Sequence, residues 1–128
     1  MFKNILVPVD GSAPAHKATE LAADLAGLYD STVTVLCAWS RSCDMLQPQA
    51  ETVVEGEAEV LRQRGLTNVR TLVEFGDAAR VILDCADASD VDLIVMGSRG
   101  RGQVADLLLG SVSHKVSQLA PCTCVTVR

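Results

Sequence analysis

Aromatic residues are scarce in this chain: two Phe, one Tyr and one Trp among 128 residues. Phe2, Tyr29, Trp39 and Phe75 are scattered, so no stacking platform for single-stranded nucleic acid is visible. Basic residues are also in the minority. Eleven Lys and Arg stand against 16 Asp and Glu, a formal net charge of −5, and nonspecific nucleic-acid binding draws most of its free energy from basic side chains on phosphates. No run approaches the ~20 apolar residues of a membrane span. Pro8 and Asp10 stand where a signal peptide would keep its apolar stretch, which makes a cytoplasmic location the expectation. The chain has no Gly-x4-Gly-Lys-Ser/Thr loop. His16 and His114 read as surface residues on helices, with no third residue to orient either into a triad. A phosphorylated receiver domain needs an acidic cluster at its strand ends and a lysine after its last strand; here Asp10 stands alone at those ends and no lysine follows Lys115. The five cysteines, Cys37, Cys43, Cys85, Cys122 and Cys124, form no Cys-x-x-Cys pair, which favours reduced thiols over metal or redox chemistry. Cys43, in an expected loop, is the candidate reactive thiol.

What is present is an alternation of apolar runs and helical patterns, repeated five times. Strands are expected at Ile5 to Val9, Thr32 to Ala38, Val69 to Phe75, Asp92 to Met96 and Thr123 to Val127. The third alternates apolar and polar residues and reads as an edge strand. A helix with Ser12 as N-cap and Pro14 in its first turn carries Ala18, Leu21, Ala22, Leu25 and Leu28 at helical spacing. Residues Arg41 to Gln49 read as a polar loop, Ala50 to Arg64 as a helix closed by Gly65, and Asp77 as the cap of a third helix. Such alternation implies a parallel sheet with helices on both faces, an α/β three-layer sandwich. One domain spanning 1–128 is expected.

The densest signal follows the fourth strand: Met96-Gly97-Ser98-Arg99-Gly100, then nine residues, then Gly110-Ser111-Val112-Ser113 at the start of a helix running to Leu119. Glycines permit positive φ and close backbone approach, and a helix N-terminus offers unpaired N–H groups and a positive dipole end to an anion. Together these predict a phosphate site.

This spacing, the opening Phe2 to Ser12 and the closing Ala120 to Arg128 resemble the universal stress protein family, in its ATP-binding subtype, over essentially the whole chain. The resemblance implies the strand order 3-2-1-4-5 in a five-stranded parallel sheet. Ligands in open α/β sheets bind beyond the carboxyl ends of strands where that order reverses, here between strands one and four. By the same resemblance the nucleotide-binding residues are Pro8, Val9, Asp10, Ala38, Met96, Gly97, Arg99, Gly100, Gly110, Ser111, Val112 and Ser113. Gly97 and Gly100 would pass N–H groups to phosphates, and Ser111 and Ser113 would supply hydroxyls, Ser111 doubling as N-cap. Asp10 would lie near ribose and phosphates, or near a Mg²⁺ ion, its other reading being turn chemistry. Arg99 and Arg101 either reach phosphate or face solvent. Backbone groups at Ala38 would hold adenine. The family commonly has His-Val there, whereas this chain has Cys37-Ala38-Trp39, and Trp39 either packs on the base or covers the sheet end.

The function implied is a stress-response regulatory module that binds ATP, or AMP or ADP, and pairs as a homodimer through the last strand. Two alternatives stay open: a slow ATP hydrolase or autophosphorylating protein with Ser111 or Ser113 as acceptor, and a dimeric scaffold with no nucleotide.

Overall fold

The computed structural model describes residues 1–41, 45–100 and 109–128. Five strands, β1 (Asn4–Pro8), β2 (Thr32–Trp39), β3 (Val69–Phe75), β4 (Leu93–Gly97) and β5 (Thr123–Val127), form one sheet in the order β3-β2-β1-β4-β5, and every pairing is parallel. The helices are α1 (Ala13–Tyr29), α2 (Gln47–Gln63), α3 (Ala78–Ala88) and α4 (Ser111–Leu119).

Successive strand residues face opposite sides of a sheet, and each side has its own core. Ile5, Val7, Val33, Val35, Leu93 and Val95 belong to the core that includes the buried residues of α1 and α2. Leu6, Leu36, Ile94 and Met96 point the other way, into the core with α3 and α4. Strand β4 is buried from Leu93 to Met96, as a central parallel strand covered on both faces must be. The edge strand β3 has no fully buried residue.

The helices begin and end for local reasons. Ser12 Oγ accepts the Ala15 N–H at 3.3 Å, with Pro14 in the first turn of α1. Asp77 Oδ2 accepts the Arg80 N–H at 3.2 Å at the start of α3. After α2, Gly65 takes φ +90°, the left-handed geometry that closes a helix at little cost in glycine.

Two expectations are corrected. Helix α2 starts at Gln47, not Ala50, because Pro48 suits a first turn and Gln49 Oε1 accepts the Leu46 N–H at 3.2 Å. In α1 the buried face is small: Ala15, Ala18, Thr19, Ala22, Ala23 and Ala26. Leu28 is 73% exposed. At 100° per residue it falls nearly opposite that face, whereas Leu21 and Leu25 are partly buried and pack against the core.

Candidate functional site

The parallel ladders bring the carboxyl ends of β1, β2, β3 and β4 to one edge of the sheet, and a cavity of about 710 Å³ opens there, within the usual range for small-molecule sites. Pro8, Val9 and Asp10 line it from β1, and Ala38 from β2. Met96, Gly97, Arg99 and Gly100 line it from β4 and the turn beyond, and Gly110, Val112 and Ser113 from the start of α4. Of the residues expected at the site, Ser111 alone stands apart, exposed on the first turn of α4. Arg101 and Cys43 lie outside the described residues.

Asp10 closes the turn from β1 into α1. Its Oδ1 accepts the Ser12 N–H at 3.0 Å, and Gly11 takes φ +84° beside it. The carboxylate also presses on the β4 side: a Cβ placed on Gly100 would lie 2.6 Å from Asp10 Oδ2. Gly97 faces backbone instead, since its Cβ would stand 2.9 Å from Ala15 N and from Pro14 C. Among the described glycines positive φ occurs at Gly11, Gly65 and Gly76, so of the two freedoms glycine offers, Gly97, Gly100 and Gly110 do not use positive φ. Gly97 and Gly100 are small because other groups lie where their side chains would begin.

At α4 the N-cap is Gly110, at φ −74° and ψ 169°, and the expectation that Ser111 caps the helix is corrected. The first bond within the helix runs from the His114 N–H to the Gly110 carbonyl at 2.9 Å. The N–H groups of the preceding first turn lack intrahelical acceptors and are the natural donors to an anion. Ser113 is buried, and its hydroxyl donates at 2.6 Å to the Ser98 carbonyl. Ser98 carbonyl also accepts the Gly110 N–H at 2.6 Å. The α4 terminus is thereby tied to the end of β4, with Ser113 acting in the frame of the site.

A further wall of the cavity, absent from the sequence reasoning, comes from the β3–α3 turn: Phe75, Gly76, Asp77 and Ala78, with Ile82 behind them. Gly76-Asp77 directly after a strand was the available signal, because such carboxyl-end turns border ligand sites in open sheets. Trp39 does not line the cavity. It packs edge-to-face on Phe75, with ring centroids 4.9 Å apart.

Among the described residues no group of three His, Cys, Asp or Glu side chains is placed to hold a metal, and no helix is long and apolar enough to cross a membrane. Cys37, Cys85, Cys122 and Cys124 form no disulfide, and burial pushes the last three above the usual thiol pKa. Away from the cavity, His16 Nδ1 lies 2.7 Å from Glu57 Oε1, and Thr19 Oγ1 donates to Glu57 Oε2 at 3.0 Å. The hydrogen bond to Glu57 holds the His16 pKa above its ordinary value.

The model of the universal stress protein family matches residues 1–128. A universal stress protein of Thermus aquaticus is 35% identical over 137 residues, covering 100% of both chains. One from Bacillus subtilis is 32% identical over 149 residues, again covering 100% of both. Among solved structures, a universal stress protein from Archaeoglobus fulgidus in complex with dAMP superposes with a TM-score of 0.80 at 24% identity, covering 99% of this chain and 98% of that one. A universal stress protein in complex with cAMP superposes with a TM-score of 0.77 at 21% identity, covering 99% of this chain and 97% of that one.

Proposed function

This chain belongs to the universal stress protein family, and we propose that it is an adenine-nucleotide-binding regulatory module whose ligand occupies the cavity beyond β1 and β4. The observation that carries the reading is the convergence of Asp10, Arg99, Gly100 and the α4 N-terminus on one cavity of nucleotide size. The dAMP and cAMP complexes of proteins with this fold support adenine as the base.

Phosphates take the end of the cavity bounded by Gly97 to Gly100 and the first turn of α4, where backbone donors and the helix dipole favour an anion. Arg99 adds a guanidinium there. ATP is the proposed ligand, its longer phosphate chain filling that end. A Mg²⁺ ion accompanying it would depend on phosphate oxygens, with Asp10 as its protein carboxylate, the usual way Mg²⁺ is held at nucleotide sites. The protein acts in the cytoplasm by binding rather than turnover. Two copies pair through β5, which is an edge of the sheet and gains by being covered.

The test is to denature the purified protein and identify any nucleotide released, then titrate the emptied protein with ATP and Mg²⁺ by calorimetry. Released adenine nucleotide or saturable ATP binding is expected. An empty protein with no binding heat overturns the reading.

A further inference from the structure

Two aromatic pairs exist among the described residues, at opposite ends of the sheet. Phe2 and Tyr29 meet where β1 begins and α1 ends, with ring centroids 5.6 Å apart. Trp39 and Phe75 meet where β2 and β3 end, at the cavity. Phe75 lines that cavity while remaining 62% exposed. One exposed apolar side chain is ordinary in itself; the unusual part is how firmly this one is held.

Phe75 is the ladder partner of Trp39, and the rings cross at 73°. The next residue locks the turn. Gly76 N–H donates to the Trp39 carbonyl at 2.9 Å, its φ is +142°, and a Cβ there would sit 3.1 Å from Val81 Cγ2. Asp77 then caps α3. The ring is thus fixed on both sides in sequence and along one ring contact, beside open space.

The cavity's cation lies toward one end of the sheet. Arg99, Gly100 and the α4 terminus stand at its β4 end, with Met96 and Val112, while Leu36, Ala38, Ala78 and Ile82 give a largely apolar wall nearer β3, with Ser40 and Asp77 at its rim. Three strand intervals separate β3 from β4, about 14 Å at ~4.8 Å each. Phosphates drawn to the β4 end leave the base of the same nucleotide at the apolar end.

On the reading that this cavity binds an adenine nucleotide, we propose that Phe75 stacks on the base and that Trp39 is the residue that positions it. Base–aromatic stacking tolerates any base, so affinity for the base then rests on the Phe75 ring.

The test is ATP affinity, by calorimetry on the full chain, for wild type and for Phe75→Tyr, Phe75→Leu, Phe75→Ala and Trp39→Leu, with thermal unfolding confirming that each is folded. Tyr keeps the aromatic face and is expected to bind like wild type. Leu keeps apolar bulk without the ring and Ala removes both; each is expected to weaken ATP binding about tenfold or more. Trp39→Leu is expected to weaken ATP binding in wild type but to add little in the Phe75→Ala background, as coupled residues do. Wild-type affinity in Phe75→Leu, or equal loss in Phe75→Tyr and Phe75→Ala, overturns the stacking role while leaving the cavity reading intact. Additive Trp39 and Phe75 effects overturn the positioning role. A wild-type chain that does not bind ATP overturns the cavity reading itself, and this proposal with it.

Discussion

The Asp10 carboxylate fills the space in which a side chain at Gly100 would begin, with Oδ2 2.6 Å from the position of a Cβ. The other carboxylate oxygen is engaged by the Ser12 N–H at 3.0 Å, so the group cannot swing aside without giving up that bond. The ends of β1 and β4 are therefore matched to each other through one acid and one missing side chain.

Gly100→Val is expected to displace Asp10 and lower ATP affinity at least about tenfold, or about 1.4 kcal/mol. Calorimetric titration measures this, with circular dichroism to show that the fold persists. A folded variant with wild-type affinity would remove the Asp10–Gly100 contact from the site.

Gly97→Ala tests a different contact. Its Cβ would meet Ala15 N and Pro14 C at 2.9 Å, and backbone atoms at the start of a packed helix cannot give way as a side-chain tip can. Overpacking of this kind costs about 1–3 kcal/mol. Urea unfolding should show that loss, and an unchanged midpoint would refute the close approach of β4 to α1.

Gly27 and Gly56 should behave in the opposite way. Both lie inside helices, and neither has an atom within 4 Å of where its Cβ would go. Replacing each with Ala removes the entropic penalty of glycine in a helix and is expected to stabilise by about 0.5–1 kcal/mol per site. Thermal melts should rise by a few degrees for the double variant; no rise, or a fall, counts against the open surroundings described for both.

The His16–Glu57 pair gives a pH-dependent prediction. Its hydrogen bond to Glu57 raises the His16 pKa in the folded chain above 6.5, and Glu20 on the same helix adds to the effect. The folded state then holds the proton more tightly than the unfolded state, so the stabilisation is fully present below about pH 6.5 and is lost as pH rises through the raised value. Because the His16 side chain is 49% exposed, solvent screens the pair and the contribution is at most about 1 kcal/mol. The stability gap between wild type and His16→Ala should shrink on going from about pH 6 to about pH 9. A gap that is constant or widens with pH would show that the pair does not carry it.

What could be read from the sequence follows from how local each signal is. The extents of β3, β5 and α4, the cap residues Ser12 and Asp77, and the glycine spacing near Gly97 are written within a few neighbouring residues, and the structure has them as expected. The burial of Ala15 and Ala26 in place of Leu28 depends on how closely α1 approaches the sheet, which periodicity does not encode. The reason for glycine at 100 is the side chain of residue 10, ninety positions away, and Phe75 enters the cavity only because β3 pairs beside β2. Pairings across the sheet decide those features, and they have no short-range trace.

The Ser98 carbonyl accepts from both Gly110 and Ser113, while the Ser98 N–H is bonded to the Val127 carbonyl. The two ends of the segment between β4 and α4 are thus stapled together by groups outside residues 101–108. The length and composition of that segment can vary without dismantling the strand end or the helix terminus, since lengthening a closed loop adds little entropic cost. The architecture thus fixes the junction of strand end and helix terminus through Ser98, Gly110, Ser113 and Val127, so that junction does not depend on the identity of the residues that connect them.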